Sequence, residues 1–516
     1  MKSASYFTTP IYYVNDAPHI GHIFSTLLAD IGARTAQLEN QEKFLLTGTD
    51  EHSTKVIDAA QSREIPVKTW ARNNADAFRQ AFKAFNIGFD DFIRTSEPRH
   101  KVNVHRRIEQ LMATGDVYLG EYVGWYDAGQ EEYVSDAKAK QYEYKSPINK
   151  KPLLQRAEKN YFFRLSRYQE QLLALLNTGE LNIHPASRTA EIVARVQDGL
   201  SDIPISRYSS EAWGINIPGD SSHVVYVWVD ALFNYLTAID TDELRHLWPA
   251  TLQVVGKDIL WFHAVIWPAM LLALKKVKGN EWLDLPRNIL AHGFWIHEGE
   301  KMSKSMGNFV GIEALHRYCS EFGVDSLRFF LASTGPVGAS DSDFSHLRFI
   351  ESYNANLANT VGNCLNRITG MVNRYFDGVI PAKPTIASEF HNKITDLSQA
   401  SREKAQAFQY DKMIALALTI FRTIDQHVNF TEPYKLIKQP ENLAQVGYIL
   451  HDCLEALRRG ALALWPVMPD SMTELLQNLG CLDADQSPCF DNSRSVSPGY
   501  RIKETRVLFP RYQEAP

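Results

Sequence analysis

The sequence predicts an α/β protein: a doubly wound parallel sheet, split by an insertion, followed by an all-α helical bundle. Three observations carry that expectation. Residues 5–50 run strand, turn, amphipathic helix, strand, which is the opening of a βαβ unit. From about residue 115 to 225 that rhythm is lost, and the chain becomes rich in Gly, Tyr and charged residues. After residue 350 strand signals fade and apolar residues recur at helical spacing.

Each element follows from local chemistry. "SYFTTPIYYV", residues 5–14, gathers aromatic and β-branched types into a run suited to a buried strand. Asn15-Asp16-Ala17-Pro18 is turn chemistry. "HIGHIFSTLLADIGARTAQLEN" places Ile23, Leu27, Ile31 and Leu38 at helical spacing, and "KFLLTGTD" is the next apolar strand. Inside the insertion, short strand-like pieces surround one helix-like run, "YQEQLLALLN". The α/β pattern resumes at "HVVYVWVDALFNYL", "LQVVGKDILWFHAVIW" and "NILAHGFWI". In the last part Ile414, Leu418, Phe421, Ile424 and Val428 make one helical stripe. Val446, Leu450, Leu454, Leu457, Ala461 and Leu464 make another. Ligands of open parallel sheets bind outside the carboxyl ends of the strands, so residues 19–22 and 47–52 should border a site.

Composition narrows the function classes. The chain has 516 residues, 45% apolar and 22% charged, enough to bury more than one core. A net charge of −6 excludes general basicity, so a nucleic acid would be met by local basic patches. The five cysteines (Cys319, Cys364, Cys453, Cys481 and Cys489) form no C-x-x-C and suit free thiols in a reducing compartment. "MKSASYFTTP" lacks the apolar core of a signal peptide. The most apolar stretch, Ile259 to Leu274, is 16 residues long and broken by His263 and Pro268. That falls short of the roughly 20 needed to cross a bilayer, so buried core, a cytoplasmic location and no membrane partner are expected.

Two short segments carry the chemistry. In "PHIGH", residues 18–22, His19 and His22 fall in the first turn of a helix, where free N–H groups and the dipole favour anions. Gly21 leaves room for a flat ring or phosphate to approach the backbone. The spacing does not fit the zinc-protease pair, whose histidines stand four apart around a glutamate. In "EKMSKSMGN", residues 300–308, Lys301 and Lys304 are compact charges on flexible stems, able to follow a polyanion through a reaction. Taken singly, a helix start and a solvated loop explain them as well.

Together, about 280 residues apart, they resemble the two signatures of class I aminoacyl-tRNA synthetases. The aromatic stretches "TPIYYVN", "YVWVDALFNY" and "GKDILWFHAVIW" are similar to those of methionyl-tRNA synthetases. The resemblance implies a Rossmann-type catalytic domain in two halves, 1–114 and 226–300, around a connective insertion at 115–225. It implies a KMSKS loop and stem-contact region at 301–349 and a helical anticodon-binding domain at 350–516. The implied partners are ATP with Mg²⁺, L-methionine, and initiator and elongator tRNA(Met).

Site residues carry over by the same resemblance. His19, His22, Lys301 and Lys304 would be catalytic, and Gly21, Asp258 and Ser303 would join the two lysines around ATP, with Asp258 facing the ribose. Ile11, Tyr13, Asp50, Trp228, Ala231, Tyr235, Phe262, His263 and Trp267 would form the methionine pocket. In it Asp50 pairs with the ammonium, Tyr13 and His263 lie near the sulfur, and Trp228, Phe262 and Trp267 close round the chain. A polarizable thioether suits such walls. Asn363 and Arg367, four apart on one helix face, would read the CAU anticodon, and Tyr434 would stack where many bacterial members have tryptophan. Arg207 stands where the family keeps an arginine near the active site; a surface salt bridge explains it equally well.

One departure is clear. Many members carry C-x-x-C zinc knuckles in the insertion, whereas this chain reads "GWYDAGQEEYVSD" there and has no cysteine before residue 319. No tetrahedral thiolate site can be built, so the resemblance is to the zinc-free subgroup and no protein-bound zinc is expected. The chain ends soon after the bundle, without the dimerising tRNA-binding domain of some members, so a monomer is expected. Two alternatives stay open on sequence. A class I synthetase for another amino acid is one, although isoleucyl, leucyl and valyl enzymes carry larger editing insertions and a cysteinyl enzyme should show zinc-binding cysteines. A catalytically silent RNA-binding paralogue is the other; it predicts decay of the lysine loop or the histidine turn, and both are intact.

Overall fold

The structure, a computed structural model, describes residues 3–127, 132–134, 136–147, 150–208, 213–297, 300–301, 310–338, 340–483, 486–490, 494–502 and 507–513. Six parallel strands form the central sheet: β1 (Ala4–Tyr13), β2 (Glu42–Asp50), β3 (Asp91–Arg94), β4 (Asn182–His184), β5 (Leu252–Gly256) and β6 (Asn288–His292). Their spatial order is β3-β2-β1-β5-β6-β4. The chain lays β2 and β3 on one side of β1 and later places β5 and β6 on the other. Strand order therefore reverses between β1 and β5, and a crevice opens at their carboxyl ends.

Side-chain alternation assigns the two faces of the sheet. Phe7, Leu45, Val254 and Leu290 belong to one buried cluster, while their neighbours Tyr6, Leu46, Val255 and Ile289 belong to the other. On the first face lies α1 (Ile20–Leu38), which also touches the bundle and is buried nearly all round. A Cβ at Gly32 would come within 2.8 Å of both the Phe7 ring and the Tyr410 hydroxyl, so glycine is what lets sheet and bundle share this helix. The second face carries α2 (Pro98–Ala113) and the short α3 (Val227–Leu232), through Val104, Ile108, Val229 and Leu232.

The strand-like pieces expected between about 115 and 225 pair antiparallel. Val117–Asp127, Glu132–Val134, Leu154–Phe163 and Ile203–Pro204 make one sheet, and Ser206–Tyr208, Asn216–Ile217 and Asp220–Val225 make a second. Between Leu154–Phe163 and Ile203–Pro204 the chain returns to the main sheet: Asn182, Ile183 and His184 pair with Asn288, Ile289 and Leu290 as the edge strand β4. A three-residue strand is too short to leave a periodic signal in sequence.

The C-terminal region is helical, as its stripes predict. α4 (Val324–Thr334) precedes it, and past residue 350 it runs through α5 (Asn363–Phe376), α6 (Glu389–Gln406), α7 (Tyr410–Thr431) and α8 (Leu443–Leu464). Every residue of the two predicted stripes is buried. Sheet and bundle are tied by Arg328 on α4. Its Nη2 donates to Asp30 Oδ2 on α1 at 2.6 Å and to the Pro466 carbonyl at 3.1 Å. Nη1 donates to the carbonyls of Phe85 and Asn86, and Nε to that of Val467. Asp30 also accepts from Arg34 and from the Gly88 N–H. Burial pushes the Asp30 carboxyl up, but the two guanidinium groups outweigh it and hold it below the usual range.

Removing one member of such a buried pair strands the other. Asp30→Asn is therefore expected to lower stability in urea by about 3 kcal/mol. Adding Arg328→Met should cost less than the sum of the two single changes, because it removes the orphaned charge.

Candidate active site

The site begins with an irregularity in β1. Thr8 pairs with Leu46 and Ile11 with Gly48, so three steps on β1 match two on β2. This bulge falls at Thr9-Pro10, where proline has no N–H to give the ladder. Beyond it Ile11 and Tyr13 border a cavity of about 760 Å³ at the carboxyl ends of β1, β2, β5 and β6. Asp50 ends β2 and lines the same cavity, as do Gly256 and Asp258 after β5 and His292 at the end of β6.

One wall is aromatic. Trp228 and Ala231 of α3 and Tyr235 beyond it face the cavity. The Tyr13 ring meets Trp228 edge-on at 5.8 Å. Two of the nine residues expected in the methionine pocket stand behind this lining: Phe262 stacks on Trp228 at 4.8 Å, and Trp267 packs against Tyr235 at 6.0 Å, wholly buried.

His263 faces the cavity from a π-helical turn, Phe262–Ile266. Pro268, two residues past that turn, cannot donate to a preceding carbonyl, which explains why the regular ladder is broken here. His263 Nδ1 bonds the Ile259 carbonyl at 3.0 Å, so Nδ1 carries the proton and Nε2 accepts from the Tyr235 hydroxyl at 2.8 Å. Burial lowers the His263 pKa to about 4, against the raising effect of the Ile259 carbonyl. The ring is neutral at physiological pH.

The histidine turn caps α1 with its own side chains. His19 is the N-cap in extended conformation, and its Nδ1 accepts from the Gly21 N–H at 3.1 Å. The His19 N–H in turn donates to His22 Nδ1 at 3.3 Å. A Cβ at Gly21 would sit 3.0 Å from the His19 ring, so glycine allows the ring to fold back. Because both Nδ1 atoms accept, both rings carry their proton at Nε2. Close packing, together with the adjacent His19, holds His22 well below the usual imidazole range, so it is a neutral donor. His19, Gly21 and His22 all line the cavity.

The chain just past the second signature touches the first. Lys301 ends a short strand, Glu300–Lys301, paired to Trp295–His297, which follows His292 and Phe294 of the cavity lining. Ser303 and Lys304 lie outside the described residues. Where the description resumes, Gly311 bridges to His19 and the Val310 carbonyl accepts from the Ile20 N–H at 3.4 Å. The segment before the lysine loop is thus paired to Trp295–His297, and the segment after it is anchored beside the histidine turn.

Arg207 lies on the insertion's second sheet, over the Tyr226 ring at 5.8 Å, and is not among the residues lining the cavity. Asn363 and Arg367 share an outer face of α5, and Asn363 is exposed. Arg367 donates to Asn429 Oδ1 at 2.7 Å and approaches Asp425 of α7 at 3.4 Å. Tyr434, just past α7, is exposed, and so is Phe430 beside Asn429.

Several cavity groups have no counterpart in the sequence expectations. His292 Nδ1 bonds the Gly293 carbonyl at 2.7 Å, which leaves Nε2 to accept from Ser25 at 2.6 Å. Both residues line the cavity with Asp16 and Phe294. A histidine in an apolar strand looks like core, and only the sheet order brings it to Ser25.

Comparison with known proteins agrees with this geometry. A family model described as tRNA synthetases class I (M) matches residues 5–143 and 140–369. The methionine–tRNA ligase of Brucella suis is 38% identical over 99% of this chain and 98% of its own length. That of Rickettsia bellii is 37% identical over the whole of both. Among solved structures, Mycobacterium tuberculosis methionyl-tRNA synthetase in complex with methionyl-adenylate superposes with a TM-score of 0.89 at 34% identity, covering 99% of this chain and all of that one. Its apo form gives 0.84 at 30% identity. With sequence and fold alike from end to end, this chain belongs to the class I methionyl-tRNA synthetase family.

Proposed function

We propose that the chain activates L-methionine with ATP and transfers it to the 3′-terminal ribose of tRNA(Met). The observation that carries this reading is the anchoring of the lysine loop at His19 and Ile20, on the rim of a cavity with an aromatic wall and a buried carboxylate. In the first step the methionine carboxylate attacks the α-phosphate in line, and pyrophosphate leaves. A carboxylate is already a nucleophile at neutral pH, so this step needs positioning and charge stabilisation rather than a general base. In the second step the ribose hydroxyl attacks the acyl carbon and AMP leaves.

The roles follow from the chemistry. Asp50 pairs with the ammonium, and Ile11, Tyr13, Trp228, Ala231, Tyr235 and His263 enclose the side chain, backed by Phe262 and Trp267. Neutral His263, with its proton committed to Ile259, leaves the pocket uncharged where a thioether would lie. His19 and His22 offer Nε2–H donors to phosphate, together with the N-terminus of α1. Gly21 allows close approach, and Asp258 faces the ribose. Lys301, Ser303 and Lys304 stabilise the charge that develops on the leaving pyrophosphate. Mg²⁺ would come with the ATP and be held mostly by phosphate oxygens and water, with Asp16 on the cavity an oxygen donor of the kind it takes. When bound, the ion would neutralise phosphate charge.

The helical region is the proposed anticodon reader, with Asn363 and Arg367 bonding base edges and Tyr434 stacking. Residues 115–225 act as the connective insertion, built without zinc, and 301–349 as the stem-contact region. A monomeric, cytoplasmic enzyme completes the reading.

Exchange of pyrophosphate into ATP, run with each of the twenty amino acids, should respond to methionine alone; a response to another amino acid, or none, refutes the reading. Lys304→Ala should cut that exchange by about 100-fold or more. For the tRNA contacts, Arg367→Ala and Tyr434→Ala should each raise the KM for tRNA(Met) by about tenfold, and an unchanged KM would remove them from the interface. After treatment with a zinc chelator and with Mg²⁺ supplied, light scattering should give one chain's mass, 58.6 kDa, with full exchange activity. Loss of activity reversed by zinc would overturn the zinc-free assignment.

A further inference from the structure

Asp230 is a buried carboxylate that the mechanism above does not use. It sits on α3, two residues after Trp228 and one before Ala231, both of which line the cavity. Only 1% of its surface is exposed. Its two oxygens are taken by histidines from different parts of the chain. His52 Nδ1, just past the end of β2, lies 2.6 Å from Oδ2, and His100 Nε2, on α2, lies 2.8 Å from Oδ1. Burial alone would push this carboxyl up, but the two histidines outweigh it and bring it down to about 2. The carboxylate is therefore ionised, and each ring must present an N–H to it.

Both histidines are held from behind. His100 Nδ1 bonds Thr237 Oγ1 at 3.1 Å. The His52 ring meets Trp213 edge-on at 5.6 Å, and the Trp213 indole donates to the Glu51 carbonyl at 2.6 Å. Glu51 itself pairs with Arg94 on β3 at 2.7 Å. A buried charge is tolerated only while its partners stay in place, so these contacts give α3 one position relative to the end of β2. That position decides how far Trp228 and Ala231 stand from Asp50, which lies two residues before His52.

We propose that Asp230, held by His52 and His100, is a positioning residue that sets the span of the amino-acid pocket between Asp50 and the Trp228–Ala231 wall, and through it the selection of side-chain length. The inference rests on the methionine site proposed above. Asp230 touches no reacting atom; it acts through the wall it carries. A pocket of altered span should bind methionine less well and discriminate less well against a longer homologue, while nucleotide binding, built on α1 and the lysine loop, is spared.

Asp230→Asn keeps the shape of the side chain but can accept from only one histidine. In methionine-dependent exchange it should raise the KM for methionine about tenfold, leave the KM for ATP within twofold, and narrow the preference for methionine over ethionine at least threefold. His100→Gln, which loosens one arm, should move the same quantities in the same direction by less. A folded Asp230→Asn protein with the parent's methionine KM and preference overturns the proposal, as does an equal rise in both KM values. If Asp230→Asn does not fold, His100→Gln and His52→Asn each decide the question on the same readouts. Absence of methionine-dependent exchange in the parent protein would refute the functional reading itself, whereas normal exchange with an unaffected variant refutes only the role of Asp230.

Discussion

Arg328 is the interaction on which the rest of the architecture depends. Its guanidinium has five N–H donors, and the five acceptors are Asp30, Phe85, Asn86, Pro466 and Val467. These lie on α1, at the end of the helix Val67–Ala84, and just past α8. One side chain thus holds the sheet domain and the bundle in a single relation. Lysine could not replace it, since a point charge with three donors cannot reach five acceptors in a plane. The same arrangement fixes α1, whose first turn is the histidine cap of the cavity.

Around the cavity, polar groups are arranged by burial and by local bonding before any substrate arrives. His263 and His22 are kept neutral, and in each a backbone partner at Nδ1 decides which ring nitrogen carries the proton. The hydrogen bonds that cap α1 are the same ones that leave each Nε2–H of His19 and His22 uncommitted to the cap. The segments on either side of the lysine loop are both held, Glu300–Lys301 by Trp295–His297 and Gly311 by His19.

The fold was largely legible because most of its elements are long and strongly periodic. The first strand, α1 and the two bundle stripes are visible residue by residue, since each buries a face at a fixed period. The edge strand β4 was not, because three residues carry no period and its partner β6 lies about 100 positions away. Nor was the π-helical turn at His263, whose cause, Pro268, looks from sequence like an interruption in core. The site divides in the same way. His19, Gly21, His22, Asp50 and Asp258 stand in motifs whose chemistry is local. His292, Ser25 and the Asp230 pair of histidines do not, because a titratable residue in an apolar run resembles a satisfied core residue until its partner is known.

The sequence by itself determined the class of fold, the family and the residue types available for nucleotide and amino-acid binding, because these depend on patterns within a few turns of chain. Tertiary structure alone decided which of those residues meet. The bridge from Gly311 to His19, the withdrawal of Phe262 and Trp267 behind the lining, and the joining of β2 to α3 through one carboxylate all depend on strand order and register. Contacts between distant segments arise from the packing of whole faces, and no local pattern encodes the angle at which two faces meet.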